Sequence, residues 1–416
     1  MFDHPIIRTL AHRDYGLYTA GNSISLIGLW VQRVAIGWLT WELTGSATWL
    51  GLVAFADLFP SILIGLVGGV AADRLDRTLV ILSCQTLSML LAGVLGALTL
   101  TAMITPELVV AVAFLNGTAI GFNQPSRLAL APRLVPREHL TTAVAINSMV
   151  FNTARLIGPA VAGLVIIWAD LGWAFLVNAA SYLCLLAALS VIRTRNPGIG
   201  RDDGVRGPRK GLAREIADGI AYAVRDPGLG PVLLLHLVTA ICVRAVVELL
   251  PGFADRVFGG GPDTLALMTS VTGAGAIVGG WLLAARRGGE QGGLVPVVLW
   301  ASALVALSLL AVALLPSLWM ALAALALYGG AMVAAGVGTQ TIVQLSVDPG
   351  MRGRVLSLHG IIFRGGPAIG ALVMGALGDM VGLRPPVVAG CVIALGVIAW
   401  VWLRRHAIAE AVDRRA

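Results

Sequence analysis

Six charged side chains interrupt stretches of sequence that are otherwise almost entirely apolar. Charge in an apolar environment is costly unless it is paired or hydrated, so residues at such positions are functional candidates. Neither of the two acids is accompanied by a nucleophile or by metal-ligand spacing, which favours ion binding and proton transfer over covalent catalysis. The six candidates for a substrate or proton pathway are Arg33, Asp57, Arg155, Arg244, Glu248 and Arg364.

The stretches that carry these charges are long enough to cross a membrane. The chain is 57% hydrophobic and 12% charged, against about 25% charged in soluble domains. Apolar runs of about 20 residues recur, each able to span a hydrocarbon core, and their lack of polar alternation favours helices over a barrel. We predict twelve spans near residues 17–41, 49–71, 79–103, 107–130, 142–166, 173–192, 230–252, 265–284, 294–315, 318–342, 355–377 and 386–403.

A polar stretch from Arg193 to Gly228 separates two sets of six spans. Prolines and glycines deny its first part regular structure, which predicts a solvated linker. Its second part carries an apolar residue at every fourth position, which predicts an amphipathic helix that either lies on a membrane surface or docks on the protein. The predicted domains are therefore an N-terminal bundle at 1–192, the linker at 193–228, and a C-terminal bundle with a short tail at 229–416. The apolar positions are Leu212, Ile216, Ile220 and Val224.

The basic residues predict the orientation. Most of the 29 Lys and Arg residues fall in the termini and in loops on the linker's side, whereas the opposite loops hold only Arg256 and Arg384. Basic loops are retained in the cytoplasm, so both termini are expected to be cytoplasmic. The net charge of +7 then reflects topology rather than a nucleic-acid partner. Basic usage that is almost all Arg suggests a GC-rich bacterial genome and an inner (cytoplasmic) membrane.

Two sequence matches indicate an internal duplication. The end of span 2 reads VGGVAADRLDR from Val67, and the end of span 8 reads VGGWLLAARRG from Val278. Spans 5 and 11 carry GPAVAG from Gly158 and GPAIGA from Gly366, nearly the same distance apart in the chain. Two same-sense six-helix halves are therefore predicted.

The turn after span 2, which reads GVAADRLDR from Gly69 to Arg77, resembles the signature of the major facilitator superfamily, G-x-x-x-D-R-x-G-R-R. Stretches in span 1 (LYTAGNSISLIGLWVQRVAIGWLTWELTGSATWLGLV), after span 4 (NQPSRLALAPRLVP) and in span 5 (ARLIGPAVAG) resemble its branch of bacterial multidrug and macrolide effluxers and the enterobactin exporter. Asp76 and Thr78 depart from the signature, which is expected to weaken gating contacts without altering the fold. Span 5 also lacks the G-P-x-x-G-G of the antiporters.

The resemblance implies an all-α fold of twelve transmembrane helices in two pseudo-symmetric bundles, working by alternating access. In this family the signature acid lies against the N-terminal end of span 11, whose partial positive charge attracts an anion. Rupture of that contact would open the cytoplasmic side; the alternative is that these charges only fix topology. The implied gating residues are Gly69, Asp73, Arg74, Arg77, Arg352 and Arg354.

In this family spans 1, 4, 7 and 10 line the cavity, spans 3, 6, 9 and 12 face lipid, and none of the six charges falls on a lipid-facing span. Arg155 and Arg364 each precede a Gly-Pro pair, so they either line the cavity or bond backbone carbonyls that the proline frees. We interpret His236 and His359 as satisfied interior polar groups. The helix-kink motif comprises Gly158, Pro159, Gly366 and Pro367.

Depth arithmetic gives an expectation for the substrate. Arg33 and Asp57 each lie twelve residues from Gly45, so we expect them at the same depth in the membrane. Whether they form an ion pair depends on helix rotation, which the sequence leaves open. Glu248 follows Arg244 by one helical turn and either pairs with it or takes up protons. In either case a positive excess remains, which predicts an anionic or carboxylate-bearing substrate.

We therefore predict a secondary active transporter, a proton-coupled exporter of small siderophore-like or drug-like molecules. A facilitator or importer is the alternative, and an intramembrane enzyme using Asp57 or Glu248 as base is the remote one. The four cysteines lie singly in different spans and the histidines form no metal motif, so no cofactor or metal is expected. The expected partners are the substrate, protons and lipids, with the chain acting as a monomer.

The signature yields a first testable prediction. Asp73→Asn should leave membrane insertion intact but slow transport. It removes a negative charge that faces a helix N-terminus, and the interaction between the two contributes about 0.3 to 2 kcal/mol. A change of that size shifts the populations of two access states whose free energies differ by only a few kcal/mol. Transport in vesicles, normalised to inserted protein, measures the effect; wild-type rates in the variant would leave Asp73 with a purely topological role.

Overall fold

Long apolar helices make up most of the chain. The computed structural model describes residues 5–200, 212–285, 293–348 and 350–413, with the backbone alone at 65–74, 212–217 and 411–413. These residues contain no strand, and 12 helices among them could cross a membrane. The predicted all-α protein of twelve spans is confirmed. Spans 1 to 12 are Arg13–Thr44, Ala47–Ile64, Arg77–Leu100, Pro106–Leu134, Arg137–Trp168, Leu171–Arg195, Leu229–Val257, Pro262–Ala285, Leu294–Leu314, Leu318–Ser346, Arg352–Val381 and Arg384–Leu403.

Local sequence signals explain where several spans begin and end. Gly45 ends span 1 in the left-handed conformation, with φ 56°, which a residue without a Cβ adopts at little cost. The Asp76 carboxylate caps span 3 by accepting hydrogen bonds from the backbone of Thr78 and Leu79. Asp76, one of the two residues that depart from the family signature, is thus a helix cap. The helix that contains span 2 continues to Arg74.

The described helices pack into two compact units. Unit 1 comprises Met1–Gly45, Ala56–Val205 and Gly260–Ser270, and unit 2 comprises Ser46–Phe55, Arg206–Gly259 and Val271–Ala416. The first residues of span 2 therefore belong to unit 2, and the first residues of span 8 belong to unit 1. Both helices pass from one unit into the other along their length.

The internal packing of the two units follows one plan. In unit 1, span 1 packs against spans 5 and 6, and span 3 packs against spans 4 and 6. In unit 2, span 7 packs against spans 11 and 12, and span 9 packs against spans 10 and 12. Each contact in unit 2 repeats one in unit 1 six spans later, which confirms the predicted pseudo-symmetry.

The predicted linker helix spans Leu212–Arg225 and docks on unit 2. Asp218 forms an ion pair of 3.2 Å with Arg354, and the Tyr222 hydroxyl donates a hydrogen bond of 2.9 Å to the Asp348 carboxylate. Ile220 and Val224, on the apolar stripe, are 45% and 75% exposed. The helix is thus docked on the protein by one side, and the exposed apolar side has the character that a membrane surface requires.

The orientation remains a prediction, and the structure supplies suitable probe positions. Pro197 is exposed at the linker, whereas a Cβ at nearby Gly200 would lie 2.0 Å from the Asp76 carboxylate. Met103, between spans 3 and 4, is 67% exposed. With the four native cysteines replaced, Met103→Cys should react with an impermeant maleimide added to intact cells, and Pro197→Cys only after permeabilisation.

Inside-out vesicles, in which the two reactivities should exchange, provide the control. Reaction of both positions from outside intact cells would contradict the predicted topology.

Candidate functional site

Two of the predicted deep charges meet on one aromatic ring in unit 1. The guanidinium carbon of Arg33, on span 1, lies 5.6 Å from the centroid of the Trp30 indole. That of Arg155, on span 5, lies 5.8 Å from the same centroid. Such cation–π contacts contribute about 0.5 to 2 kcal/mol each, depending on exposure. We call Arg33, Arg155 and Trp30 the Trp30 cluster.

The Gly-Pro motif of span 5 explains why these residues converge. A Cβ at Gly158 would lie 2.3 Å from the Trp30 Cβ, so only glycine allows span 5 to approach span 1 so closely. Pro159 follows within a helix that continues to Trp168. Arg155 lies one turn before Gly158 and is therefore brought towards the ring. Phe151, a further turn away, contacts the indole edge-on at 6.0 Å.

The Trp30 cluster also presents a hydrogen-bond donor. The Trp30 Nε1 atom is buried and has no hydrogen-bond partner among the described residues. Indole nitrogen is a donor only. A buried donor beside two guanidinium groups is an arrangement that complements an anion. Trp30 lies fourteen residues from the end of span 1 at Thr44, which corresponds to about 20 Å of helix.

Asp57 belongs to a polar network inside unit 1. The Asn116 amide donates a hydrogen bond of 3.2 Å to the Asp57 carboxylate, and Ser88 donates one of 3.1 Å to the Asn116 carbonyl oxygen. Spans 2, 3 and 4 are thereby joined. A Cβ at Gly117 would lie 2.1 Å from the Asp57 carbonyl oxygen, so this glycine permits the approach. Whether Arg33 and Asp57 also pair stays a prediction.

The geometry assumed for Arg244 and Glu248 is wrong. Span 7 is α-helical to Cys242, then forms a 3-10 segment at Arg244–Leu249 and a π segment at Phe253–Val257. A 3-10 helix has three residues per turn, so residues four apart do not share a face. Pro251, which cannot donate a backbone hydrogen bond, lies two residues after the end of the 3-10 segment. One-turn pairing of the two side chains therefore does not follow from their spacing.

In unit 2 Arg244 meets an aromatic ring of span 11. Its guanidinium carbon lies 4.0 Å from the centroid of Phe363. The neighbouring Arg364 is half-buried. Gly366, before Pro367, allows span 11 to approach span 7 because a Cβ there would lie 2.4 Å from the Ala240 Cβ. In each unit, the glycine of the Gly-Pro motif thus allows two spans to pack closely.

The predicted gating residues are only partly described. Only the backbone is described at Gly69, Asp73 and Arg74, so their role stays a prediction. Arg77 is buried, and its backbone N–H donates to the Gly200 carbonyl at 2.9 Å. Arg354 is ion-paired with Asp218 of the linker helix, and Arg352 is exposed.

An acid that the sequence did not single out closes a helix end in unit 2. Asp379, near the end of span 11, accepts hydrogen bonds from the Ser46 hydroxyl at 2.5 Å and from the backbone of Ala47 and Thr48 at 2.8 and 2.9 Å. It therefore caps the N-terminus of span 2. We call this contact the Asp379 cap. In the sequence, Asp379 was recognisable only as an acid in the last turn of an apolar span. Its partner, the start of span 2, depends on helix packing.

Close backbone packing reinforces the Asp379 cap. A Cβ at Gly51 would lie 2.3 Å from the Ala371 carbonyl oxygen, and a Cβ at Gly375 would lie 2.2 Å from the Ala47 carbonyl oxygen. Glycines on both helices therefore let the start of span 2 lie directly on the end of span 11. Small residues at such contacts are the usual basis of close helix packing in membranes.

Comparison with known proteins agrees with this architecture. A family model described as transmembrane secretion effector matches residues 10–415. Macrolide efflux protein A of Streptococcus pyogenes is 26% identical, over 88% of this chain and 89% of its own length. The enterobactin exporter EntS of Escherichia coli O1:K1 is 27% identical, over 86% of this chain and 82% of its own length.

Solved structures with the same fold are also transporters. A POT family transporter in complex with 5-aminolevulinic acid has a TM-score of 0.76 at 12% identity, covering 95% of this chain and 96% of that one. A bacterial homologue of the iron transporter ferroportin has a TM-score of 0.68 at 16% identity, covering 93% and 98%. The fold and the relatives are those of transporters rather than enzymes. The chain belongs to the transmembrane secretion effector family of the major facilitator superfamily, and it is a multi-pass membrane transporter.

Proposed function

We propose that this transporter exports small molecules carrying a negative charge, by alternating access and in exchange for protons. In this proposal a single chain does the work, in a bacterial inner membrane with both termini cytoplasmic. The export direction is supported by the relatives, two of which are named as an efflux protein and an exporter. A siderophore-like or drug-like acid is the substrate class that fits best.

The observation that carries the proposal is the Trp30 cluster. Two guanidinium groups lie within 6 Å of one indole centroid, and the indole N–H adds a donor. Guanidinium groups bind carboxylates through two parallel hydrogen bonds, and the aromatic face suits a ring or apolar body on the same molecule.

Energy for export has two sources under this proposal. An inside-negative potential favours outward movement of an anion, by about 2.3 kcal/mol per charge and 100 mV. Proton entry adds to this driving force if an acid within the membrane spans carries protons inward. Asp57 suits that task, because protonation removes the charge that the Asn116 amide solvates and so would alter the packing of span 2 on span 4. Glu248 in the 3-10 segment of span 7 is the second candidate.

Alternating access is supported by the way span 2 is held. Its first turn is fixed within unit 2 by the Asp379 cap, while its later residues belong to unit 1. We propose that the Asp379 cap breaks when the side opposite the linker opens, and that the contact of Asp73 with span 11 breaks when the linker side opens. A facilitator or importer would use the same parts, and uptake by vesicles of known orientation would reveal it.

The charge preference gives a prediction for transport. In proteoliposomes with a pH gradient, export of an aromatic carboxylate should exceed export of a matched aromatic amine. Arg155→Gln should reduce carboxylate export about ten- to 150-fold, because it removes a charged hydrogen-bond donor to the carboxylate, worth about 1.5 to 3 kcal/mol. Arg364→Gln should reduce it in the same direction.

Arg384→Gln is the matched control, because it removes an exposed Arg at the start of span 12 and should leave the rates unchanged. Preferential export of the amine, undiminished in the Arg155 and Arg364 variants, would exclude an anionic substrate.

The Asp379 cap gives a prediction about access. Asp379→Asn leaves one carbonyl oxygen where two carboxylate oxygens accepted three hydrogen bonds, a loss of about 0.5 to 2 kcal/mol. Opening of the side opposite the linker should become more frequent. A cysteine placed at Leu50, which is 3% exposed, should then be alkylated several times faster in a cysteine-free background.

Asp263→Asn serves as the control, since it neutralises an exposed acid in the first turn of span 8 without touching the Asp379 cap. Equal alkylation rates in the Asp379 variant and this control would remove the Asp379 cap from the access mechanism.

A further inference from the structure

A small cavity in unit 2 has side chains that can donate hydrogen bonds in an otherwise apolar wall. Its volume is about 40 Å³, room for one or two water-sized groups and far below the space that a drug-sized molecule needs. Spans 7, 9, 10 and 11 all contribute to its wall. The polar lining residues are His236, Thr239, Arg244, Ser302 and Thr339. We call it the His236 cavity.

Three of the four spans contribute a polar residue at one level. His236 lies seven residues after Leu229 at the start of span 7, and Ser302 lies eight after Leu294 at the start of span 9. Thr339 lies seven residues before Ser346 at the end of span 10. At 1.5 Å per residue, each is about 10 to 12 Å from the linker-side end of its helix. The His236 cavity is thus a built feature of the bundle rather than a gap between irregular segments.

We expected His236 and His359 to have hydrogen-bond partners for their ring nitrogens, and this expectation is wrong for the Nε2 atoms. His236 and His359 stack with centroids 4.5 Å apart and planes 3° apart. The two residues are only 6% and 8% exposed, yet the Nε2 atom of each lacks a hydrogen-bond partner among the described residues. A buried polar atom left in this way is costly. His236 lines the His236 cavity, and His359 holds its ring in place from span 11.

The electrostatics indicate the charge of the ligand. Arg244 lines the His236 cavity beside His236, with its guanidinium over Phe363. A metal cation would be repelled by this charge, and two stacked parallel rings do not direct their nitrogens at one ion. An imidazole with its proton on Nε2, a guanidinium and hydroxyl groups are all donors. This is a set that complements an anion.

We propose that the His236 cavity binds one small monovalent anion, held by Arg244, the Nε2–H group of His236 and the hydroxyls of Ser302 and Thr339. The anion is either a free ion such as chloride or the carboxylate of a larger molecule, which offer the same charge and acceptor chemistry. Only the second source rests on the proposed function. His359 is a positioning residue that fixes the ring of His236.

Anion binding to the purified full chain tests the proposed site in the His236 cavity without any transport measurement. Histidine labelled with ¹³C at Cε1 gives imidazole NMR signals, and those of His236 and His359 are assigned from His236→Gln and His359→Gln. Sodium chloride, formate and benzoate are titrated at constant ionic strength against sodium camphorsulfonate, whose bulky anion carries no carboxylate. Choline chloride separates an effect of chloride from one of sodium.

The expected result is a saturable shift of both signals with chloride and formate and none with camphorsulfonate. A shift with benzoate as well identifies the carboxylate of a larger molecule as a ligand, and its absence identifies a free small ion. Arg244→Gln should weaken binding about tenfold or more, the loss of a charge-assisted hydrogen bond, and Arg244→Lys should weaken it less.

Arg404→Gln is the matched control, because Arg404 makes the same kind of contact, 4.2 Å from the Trp400 centroid, away from the His236 cavity. It should bind like the wild type. The signal of His139, in unit 1, reports whether each variant is folded. No saturable shift in the wild type, a shift that follows the cation, or equal affinity in folded Arg244→Gln would overturn the proposal. Loss of transport with anion binding intact would instead count against the proposed function alone.

Discussion

Cationic side chains within membrane spans constrain this structure more than any other feature. A guanidinium group in hydrocarbon is costly, and the protein places three such groups against aromatic faces. Arg33 and Arg155 lie against Trp30 in unit 1, and Arg244 lies against Phe363 in unit 2. Aromatic faces attract the cation without neutralising it.

Bringing those rings and cations together requires helices that approach closely. Gly158 against Trp30 and Gly366 against Ala240 do this in corresponding places of the two units. In membranes the apolar side chains gain little from leaving lipid for one another, so packing of small residues decides which helices meet. The duplicated Gly-Pro motif thus fixes the contact of span 5 with span 1 and that of span 11 with span 7.

The two units use this common frame differently. Unit 1 holds the Trp30 cluster and a polar network around Asp57. Unit 2 holds a stacked imidazole pair beside Arg244 and a span 7 that leaves the α-helical form midway. The duplication therefore preserved helix packing, while the polar chemistry of the interior diverged.

The sequence alone determined the class, the number of spans, the duplication and the family. Each depends on composition or on local pattern: runs of apolar residues long enough for a bilayer, and a signature whose residues stand close together in the chain. It also identified the deep charges, because a charge within an apolar run is visible without any knowledge of packing. The linker helix was predictable for the same reason, since a period of four residues is a local property.

Only the tertiary structure decided which residues those charges meet. Helix rotation and relative height depend on contacts between residues far apart in the chain, which no local pattern encodes. Arg155 therefore could not be assigned to Trp30, nor Asp379 to the start of span 2. The 3-10 segment of span 7 overrode the α-helical spacing assumed for Arg244 and Glu248. The stacking of His236 on His359 brings together residues of spans 7 and 11, and that register depends on the packing of the two helices.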